Sequence, residues 1–573
     1  MIRWFNTSLQ TVRVAGSALA LCLVAGSALA QNVAARVQPA SQTPVAMALK
    51  NARLAPVAPT LVELGAWVQP KAAAVDNNDG VRIGAPRASS ATGTVAATQA
   101  ALRWQATAGG GQVAALSFVS NEAFGLRVGL LVQALPANAI VRVYAPDWRD
   151  QASETTGERI AQTLQNNAKA GDSSVAGRTW WTPAVDGDEL TVEIELPAGV
   201  ASSSVQVAAP QVVHIYENIF NLIDDGSHIE AKINNAAACT LDSTCYDGYA
   251  AQRDAVARMH YVTDQGAYLC TGTLLNDRAG SGKPYFMTAN HCISTQTVAS
   301  SLQTFWFYRT PSCNSRLLSS ASKTLKGGAQ LLYTSASPDA SLLLLNDAAP
   351  AGAVFAGWDA NPVAKGAAVV GIHHPRGDLQ KISFGSIVGS SACTPGTGYY
   401  SCRASNEMNE NFYRVQWSQG TTEGGSSGSA LFVNGVVTGM LSNGSASCSN
   451  TGGTNNYSRF DKVFPAVKQW LYPEVAAPAA VDVFSFLNTA TGAHFYTVSA
   501  EERDLVIAVL PSFRFEGVAF QAYQQAGAGL NAVYRFYNWQ TGVHVYTANA
   551  QERGAMQANP GVFQDNGVAW YGK

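Results

Sequence analysis

Thr422-Glu-Gly-Gly-Ser-Ser-Gly-Ser-Ala-Leu-Phe432 is the stretch that decides the fold of this chain of 573 residues. Glycines on both sides of Ser427 allow a strained, exposed turn to form without clashes of Cβ atoms. In such a turn the backbone N–H groups of Gly425 and Ser427 can point at one oxygen. A flexible linker would not run straight into Ala430-Leu-Phe-Val-Asn-Gly-Val-Val437, an apolar hairpin with Asn-Gly at its turn. The stretch therefore predicts a nucleophilic Ser427, with Gly425 and Ser427 as its oxyanion hole.

Two further stretches supply the partners that a serine nucleophile needs, namely a base within hydrogen-bond reach and a group that orients this base. Tyr285-Phe-Met-Thr-Ala-Asn-His-Cys292 is an apolar strand that ends in a turn presenting His291. Pro338-Asp-Ala-Ser-Leu-Leu-Leu-Leu345 opens a very apolar strand with Asp339. A carboxylate at the mouth of such a strand is partly buried and needs a partner, which His291 would provide. His291, Asp339 and Ser427 are the predicted catalytic residues, in the chain order of a known triad.

Each of these partners also has a structural interpretation. His291 could be a packing histidine beside a disulfide, and Asp339 could be an ordinary turn residue at a strand edge. Asp347, Asp359 and Asp378 are rival candidates for the acid, but none combines the head of an apolar strand with this place in the chain. The coincidence of all three stretches favours catalysis.

Composition and charge narrow the class of partner. The formal net charge is -2, the pI is near 6.5, and only 13% of the residues are charged. No strong electrostatic field favours binding to nucleic acid or to an anionic membrane surface. We therefore expect no nucleic acid and no membrane among the partners.

The N-terminus has the pattern of an export signal. Arg3 and Arg13 precede an apolar run over 14–25, and Ala28-Leu-Ala30 follows as an A-x-A cleavage signature. A membrane anchor is the alternative, but the run is shorter than the ~20 residues needed to span a bilayer. Residues 1–30 are predicted to be a signal peptide, and the protein is predicted to be secreted and extracellular.

The remaining chain divides by composition and periodicity. Residues 31–100 are rich in Ala, Val, Pro and Gln, which predicts an extended or weakly ordered arm. Residues 101–217 contain alternating apolar and polar runs separated by Pro and Gly, which predicts a small antiparallel β domain. A polar hinge, a cysteine-bearing domain, an Ala/Pro-rich linker and a C-terminal module follow at 218–233, 234–473, 474–480 and 481–573.

The C-terminal module contains an internal repeat. Asn488-x-x-Thr-Gly-x-His-x-Tyr-Thr497 recurs as Asn538-x-x-Thr-Gly-x-His-x-Tyr-Thr547, and Gly517-Val-Ala-Phe520 recurs as Gly567-Val-Ala-Trp570, at a constant offset of 50. Two copies of one supersecondary unit are predicted, in a small β-rich module. Exposed aromatic side chains would suit a glycan or a surface ligand, although the same aromatics could simply be the core of the module.

The cysteines indicate disulfides rather than a metal site. Without Cys22 of the signal peptide, eight remain, all between Cys239 and Cys448. An even number confined to one exported region predicts disulfides within one domain. No C-x-x-C pair and no H-E-x-x-H occurs, and the adjacent His373 and His374 would point to opposite faces of a strand. We therefore expect no metal and no cofactor.

The three stretches together resemble the bacterial lysyl endopeptidase group of trypsin-like serine proteases, over residues 234–472. The resemblance implies an all-β, chymotrypsin-like double β-barrel with the triad between the barrels. It also implies that residues 31–233 are a propeptide with a β-rich domain. It pairs the cysteines as Cys239–Cys448, Cys245–Cys313 and Cys270–Cys292, which leaves Cys393 and Cys402 to close a small extra loop.

The residue before the nucleophile departs from vertebrate-type relatives. Those relatives carry an aspartate there that pairs with the new N-terminus, whereas this chain carries Ser426. Activation by an inserted N-terminal ammonium is therefore not expected. Removal of the propeptide would act by uncovering the cleft or by releasing a folding aid.

The resemblance also indicates a substrate pocket. Its residues are Thr422, Glu423, Ser442, Asn443, Gly444 and Ser458. Lysine selectivity requires a carboxylate at the bottom of the pocket, because a buried ammonium must be paired. Lysyl-specific members carry an aspartate where Ser458 aligns, and Asp461 would need a shift to reach that position. Ser442 stands where those members carry a histidine, and it matches the general trypsin-like pattern in which this serine bonds the triad aspartate. We predict endopeptidase activity without strict lysine specificity.

The sequence thus predicts a monomeric, secreted serine endopeptidase, made as a precursor, that cleaves proteins or peptides through a His-Asp-Ser triad and an acyl-enzyme. One alternative is a catalytically silent binding protein on the same fold, although the three intact triad positions argue against it. The other is an esterase-type hydrolase. Its α/β-hydrolase form is disfavoured, because that fold has the chain order Ser, Asp, His.

Overall fold

The computed structural model describes residues 31–39, 57–68, 80–218, 236–396, 399–473, 479–527 and 529–573. The chain divides into two compact units, Met1–Leu471 and Tyr472–Lys573, which are treated one at a time below. The predicted signal peptide 1–30, nearly all of the hinge 218–233 and most of the linker 474–480 lie outside the described residues. Within the described ranges, no helix combines the length and the apolar character needed to cross a bilayer.

The first part of the larger unit is mostly β-structure. Its strands are β1 (Asn32–Val33), β2 (Arg36–Val37), β3 (Thr60–Glu63), β4 (Val81–Ala88), β5 (Gln105–Ala106), β6 (Gln112–Val119), β7 (Gly125–Ala134), β8 (Ile140–Tyr144), β9 (Ser153–Thr156), β10 (Thr179–Trp181), β11 (Val185–Asp186), β12 (Glu189–Leu196) and β13 (Gln206–Ile215). Its helices are α1 (Val95–Ala101) and α2 (Gly157–Lys169). Both begin at a threonine, Thr94 and Thr156, whose side-chain oxygen accepts a backbone N–H of the first turn.

Two sheets enclose the core of this region. One has the strand order β3-β6-β12-β8-β9, and the other includes β10-β7-β13-β4. Apolar side chains from both sheets, among them Leu116, Phe118, Val128 and Val192, are buried between them. The pairs that β6, β7, β8, β9, β10, β11, β12 and β13 form with one another are antiparallel, as predicted for residues 101–217. β3, which belongs to the predicted arm, adds to β6 as a parallel strand.

The second part of the larger unit begins at residue 236. Its strands are β14 (Leu241–Asp242), β15 (Val256–Thr263), β16 (Gly266–Leu275), β17 (Tyr285–Thr288), β18 (Gln303–Trp306), β19 (Lys323–Leu325), β20 (Ala329–Ser335), β21 (Ala340–Leu345), β22 (Val354–Phe355), β23 (Trp358–Asp359), β24 (Ala368–His373), β25 (Lys381–Gly396), β26 (Tyr399–Ser405), β27 (Phe412–Gln419), β28 (Ala430–Val433), β29 (Val436–Gly444) and β30 (Asn455–Arg459). Its helices are α3 (Ala250–Arg253), α4 (Gln296–Ser300) and α5 (Phe460–Leu471).

These strands form two curved sheets, each around its own core. The first has the order β20-β21-β17-β16-β15-β18 and encloses Phe286 and Trp306. The second has the order β29-β28-β24-β25-β27-β30, and pairing of β29 with β30 closes it into a barrel around Tyr413 and Tyr457. This all-β arrangement confirms the expected chymotrypsin-like fold.

Four disulfides tie the described part of this region together. They join Cys239 to Cys448, Cys245 to Cys313, Cys270 to Cys292 and Cys393 to Cys402. These are the pairs that the family resemblance implies. Cys270–Cys292 connects β16 to the residue that follows His291, so it fixes the backbone beside the candidate base.

The predicted arm over 31–100 is in part built into these sheets, which corrects its boundary at residue 100. β4 pairs with β13 on one side and with β16 on the other. β1 and β2 pair with β23 and β22. Gly84 and Pro86 interrupt the apolar alternation of β4, and for that reason the sequence pattern indicated an extended arm instead of a strand.

The smaller unit is one sheet with two equivalent halves. Its strands are β31 (Ala480–Asn488), β32 (His494–Thr497), β33 (Phe513–Tyr523), β34 (Asn531–Asn538), β35 (Val543–Thr547) and β36 (Phe563–Gly572), and its helices are α6 (Ala500–Val509) and α7 (Ala550–Gln557). The order is β32-β31-β33-β36-β34-β35, so each half contributes a hairpin, a helix and a third strand. Phe495 and Trp570 are buried, whereas Trp539 is 59% exposed. The aromatic residues thus serve both the core and the surface of the module.

Candidate active site

His291 and Asp339 meet because the strands that carry them are neighbours. His291 follows β17, Asp339 immediately precedes β21, and Thr288 of β17 pairs with Ser341 of β21. The Nδ1 atom of His291 lies 2.8 Å from Oδ2 of Asp339, and the backbone N–H of His291 donates to Oδ1 at 3.0 Å. The carboxylate therefore fixes both the ring and the backbone of the histidine.

Asp339 is completely buried and is stabilised as a carboxylate. Burial by itself would raise its pKa, but the neighbouring His291 and hydrogen bonds from His291 and Ser442 outweigh this effect and lower the pKa below its ordinary value. The hydroxyl of Ser442 donates to Oδ2 at 2.5 Å. Asp339 also has a φ of 58°, a conformation that costs energy and persists only where the surroundings enforce it.

Ser427 is brought beside His291 by β16. The backbone N–H of Thr271 in this strand donates to the carbonyl oxygen of Ser427 at 2.9 Å. Cys270, the preceding residue, is disulfide-bonded to Cys292 next to His291, and Sγ of Cys292 lies 3.9 Å from the same carbonyl oxygen. Ser427 is 9% exposed. The nucleophile candidate, base candidate and acid candidate therefore share one site between the two curved sheets.

The turn around Ser427 leaves little room for a side chain at Gly425. Gly425 has a φ of +86°, and a Cβ built on it would lie 3.0 Å from the carbonyl oxygen of His374. The carbonyl oxygen of Gly425 accepts a hydrogen bond from Oγ1 of Thr271 at 2.8 Å. Within the described ranges, the N–H groups of Gly425 and Ser427 donate to no protein acceptor. They are available for an oxygen of a bound substrate.

The structure does not gather all the predicted pocket residues. The carboxylate of Glu423 accepts from Nε of Arg376 at 3.0 Å and from the backbone N–H of Ala237 at 2.7 Å, so it is committed to the protein. Ser458, another predicted pocket residue, is fully buried, and its hydroxyl donates to the backbone carbonyl of Asp339 at 3.1 Å. Sequence alignment alone could not show which face of β30 this side chain takes.

Ser442, Asn443 and Gly444 lie together at the end of β29, with Nδ2 of Asn443 donating to Oγ of Ser442 at 3.0 Å. Asn455, which was not among the predicted pocket residues, is their neighbour across the pairing of β29 with β30. A Cβ built on Gly444 would lie 2.1 Å from Nδ2 of Asn455, and Oδ1 of Asn455 accepts from Nε1 of Trp417 at 2.7 Å. An asparagine at the start of a strand gives no sequence signal that it lies beside Gly444. That proximity arises only from the pairing of β29 with β30.

Acidic and metal-ligating groups elsewhere have other roles. Asp347 accepts backbone N–H groups of Lys326 and Gly327, and Asp378 accepts those of Ala236 and Leu379. Asp359 accepts from the backbone and side chain of Asn361. Cys270, His291 and Cys292 lie close enough to surround an ion, but both cysteines are in the disulfide and present no thiolate ligand.

Comparisons with known proteins match each part of the chain. The family model described as lysyl endopeptidase, C-terminal domain, matches residues 233–459, and the lysyl endopeptidase N-terminal domain matches residues 55–216. Residues 454–573 match a domain of unknown function, DUF5648. A curated lysyl endopeptidase from Pseudomonas aeruginosa is 34% identical over 320 residues, which are 53% of this chain. The chain covers 66% of the length of that relative.

Two solved structures that match this chain have lower sequence identity to it. The active form of the Rv3671c protease from M. tuberculosis is 16% identical, with a TM-score of 0.28 over 42% of this chain and 90% of its own. The MamO protease domain from Magnetospirillum magneticum is 12% identical, with a TM-score of 0.26 over 38% of this chain and 96% of its own. These TM-scores are low, so the description of the fold rests on the strand pairings themselves.

Proposed function

The chain belongs to the lysyl endopeptidase family through residues 55–216 and 233–459, and from this we propose that it is a serine endopeptidase made as a secreted precursor. Ser427 is the nucleophile, His291 the general base and Asp339 the residue that orients this base. The observation that carries the proposal is the 2.8 Å contact between Nδ1 of His291 and the buried carboxylate of Asp339, beside the strained glycine turn of Ser427. A buried carboxylate–imidazole pair next to an available serine is the arrangement that acyl transfer requires.

The proposed mechanism follows from these positions. Oγ of Ser427 attacks the carbonyl carbon of the scissile peptide bond while Nε2 of His291 takes the hydroxyl proton. The backbone N–H groups of Gly425 and Ser427 stabilise the negative charge that develops on the carbonyl oxygen. His291 then gives the proton to the leaving amine, which breaks the peptide bond and leaves an acyl-enzyme on Ser427. A water molecule hydrolyses this ester through the same residues.

A single assay distinguishes the endopeptidase from the two alternative functions, an esterase and a catalytically silent binding protein. The processed protein is incubated with casein and with a small activated ester, in parallel. Cleavage of both supports the endopeptidase, since esters are easier substrates for the same triad. Ester turnover without casein cleavage would support an esterase, and no reaction with either would support the silent binding protein.

The pocket supports a preference other than strict lysine specificity. Ser442, Asn443, Gly444 and Asn455 are uncharged, and the nearby carboxylate of Glu423 is already paired with Arg376. A lysine ammonium buried without a partner is strongly disfavoured. We expect kcat/KM for a fluorogenic lysine substrate to lie within about tenfold of the best alanine, phenylalanine or leucine analogue, measured on matched peptides.

Asn455→Asp provides the matched comparison for this prediction. The substitution keeps the acceptor for Nε1 of Trp417 and adds a carboxylate beside Gly444. We expect it to shift the lysine-to-leucine ratio of kcat/KM towards lysine by about tenfold or more. A wild-type protein that already turns over lysine substrates far faster than all the analogues would contradict the proposal.

Residues 31–233 are proposed to be an inhibitory propeptide, and β4 is the element that supports this. Val81 of β4 pairs with Leu269 of β16, the residue before Cys270. A Cβ built on Gly80 would lie 2.8 Å from the carbonyl oxygen of Leu269 and 3.1 Å from Sγ of Cys270. A Cβ on Gly424 would lie 2.8 Å from Cγ2 of Val81. β4 therefore occupies a strand edge next to the candidate site, where an extended substrate would add its own strand.

Labelling of the precursor tests this inhibition. A fluorescent fluorophosphonate is added to a partly processed sample, so that precursor and processed bands react side by side on one gel. We expect the precursor band to label about tenfold more slowly, because β4 blocks the approach to Ser427. Val81→Asp should speed labelling of the precursor, whereas Val175→Asp, at a 55% exposed position of the same domain, should not. Equal labelling of both wild-type bands would refute the inhibitory role.

Secretion and binding partners complete the proposal. Four disulfides suit an oxidising compartment outside the cytosol, in agreement with the predicted signal peptide 1–30. The substrates are proteins or peptides, and the protein acts as a monomer. The C-terminal module is proposed to bind a glycan or a surface ligand. Because the ring of Trp539 is exposed, titration of its fluorescence with soluble oligosaccharides tests this binding.

A further inference from the structure

The residue before the proposed nucleophile is held by a buried histidine. Ser426 is fully buried, and its Oγ lies 2.8 Å from Nδ1 of His373 at the end of β24. The same Oγ accepts the backbone N–H of Glu423 at 3.2 Å. Ser426 therefore links His373 to the start of the turn that presents Ser427.

The other ring nitrogen of His373 is held as well. Nε2 of His373 lies 3.2 Å from Oγ of Ser383, which is itself fully buried. The hydroxyl of Ser383 donates to the carbonyl oxygen of Thr421 at 3.2 Å. His373 thus contacts two serines. Ser383 is bonded to the backbone of Thr421, and Ser426 is bonded to the backbone of Glu423.

One assignment of protons satisfies this network. A carbonyl oxygen only accepts, so the hydroxyl proton of Ser383 goes to Thr421, and Oγ of Ser383 accepts from Nε2–H of His373. Nδ1 of the neutral ring is then an acceptor, and the hydroxyl of Ser426 donates to it. Burial and the nearby charge of Lys381 lower the pKa of His373 to about 3, so the ring stays neutral at working pH.

The network holds the part of the turn in which the positions of the backbone N–H groups have the largest effect on the rate. Ser426 lies between Gly425 and Ser427, whose N–H groups form the proposed oxyanion hole. A displacement of about 1 Å in a catalytic group is enough to lower the rate strongly. In the part of the chain that the structure describes, the hydroxyl of Ser426 contacts Glu423 and His373.

We propose that His373 is a positioning residue for the oxyanion hole of this enzyme. Through Ser426 and Ser383 it fixes the turn over 421–427, and it does so with neutral hydrogen bonds in a part of the fold where vertebrate-type relatives use an aspartate and an inserted N-terminus. The inference rests on the proposed function of Ser427. It adds a role for His373 and Ser383, neither of which touches the substrate.

The test compares variants of the processed enzyme that remove different parts of the network. His373→Phe removes both hydrogen bonds of the ring, and His373→Asn keeps an acceptor near the position of Nδ1. Ser383→Ala removes only the hydrogen bonds that Ser383 makes with Nε2 of His373 and with the carbonyl oxygen of Thr421. Ser390→Ala is the matched control, because Ser390 lies on β25 like Ser383, is equally buried, and donates to the carbonyl of Glu407 away from the turn.

Two inhibitors of the same peptide sequence provide the readout. A peptidyl aldehyde adds to Ser427 and places its new oxyanion in the hole, whereas the peptidyl alcohol binds the pocket without that charge. Loss of one oxyanion donor costs about 10²–10³ in kcat in serine proteases, so partial displacement should cost about 10–100-fold. We expect His373→Phe to raise the Ki of the aldehyde and lower kcat by this factor, with the Ki of the alcohol within about twofold of wild type.

The increase in the Ki of the aldehyde should be largest for His373→Phe, smaller for His373→Asn and smallest for Ser383→Ala. Ser390→Ala should leave this Ki unchanged. Unchanged aldehyde affinity in all three network variants would overturn the role of His373, as would equal weakening of the aldehyde and the alcohol. If His373→Phe does not fold, His373→Asn and Ser383→Ala decide the question. A wild-type protein that fails to react with a fluorophosphonate would instead refute the proposed function, and the positioning role with it.

Discussion

Ser427→Ala is expected to lower kcat for peptide hydrolysis by about six orders of magnitude, because it removes the atom that forms the acyl-enzyme. The residual rate should come from the backbone N–H groups of Gly425 and Ser427, which a methyl side chain leaves in place. The affinity for a peptidyl alcohol should change little, since the pocket is intact. Steady-state and single-turnover rates on the best peptide from a cleavage profile measure the effect.

Ser390→Ala is the control for this variant, since it removes a buried hydroxyl from the same region at a distance from the site. It should retain wild-type kcat. A rate for Ser427→Ala within about tenfold of wild type would show that another residue performs the attack, and would reject the assignment of the nucleophile.

Asp339→Asn is expected to lower kcat by about 10⁴ at neutral pH while leaving the fold intact. The carboxylate accepts from both Nδ1 and the backbone N–H of His291, and it keeps Nε2 as the acceptor for the proton of Ser427. An amide can donate to Nδ1 instead, which favours the wrong tautomer of the ring. The loss should appear in kcat more than in the Ki of a peptidyl alcohol.

A pH series gives this variant a second readout. The folded state lowers the pKa of Asp339, so its carboxylate stabilises the fold above the ordinary pKa, and this stabilisation is lost as the pH falls through the lowered pKa. Urea unfolding should therefore show a weaker acid dependence for Asp339→Asn than for wild type. An unchanged kcat would assign the orienting role to another group.

The elements that could be predicted from sequence are those encoded in short stretches. The Gly-Gly-Ser-Ser-Gly-Ser turn, the strand before His291 and the strand after Asp339 each carry a local signal, because glycine content and apolar runs determine local geometry. The meeting of His291 with Asp339 depends on the pairing of β17 with β21. The family resemblance implied a triad between two barrels, whereas the strand pairing itself leaves no local signal. The cysteine pairs likewise followed from the resemblance, since spacing alone leaves the connectivity open.

The features that sequence reasoning missed all depend on long-range pairing. β4 lies in a region of mixed composition, and the residues of β16 with which it pairs are more than 180 positions away in the chain. Asn455 reaches Gly444 only through the register of β29 against β30. For His373 the sequence indicates only that it and His374 point to opposite faces of a strand, because nothing near it in sequence indicates Ser426 or Ser383. Such contacts are fixed by tertiary structure and leave no periodic pattern.

The central claim is that Ser427 is an activated nucleophile, and covalent capture tests it most directly. The processed wild-type protein is treated with a fluorophosphonate, and the product is analysed by intact mass and by peptide mapping. We predict one adduct per chain, located on Ser427, and loss of this adduct after preincubation with a peptidyl aldehyde. A protein that cleaves casein yet carries no adduct on Ser427, or carries it on another residue, would contradict the assignment.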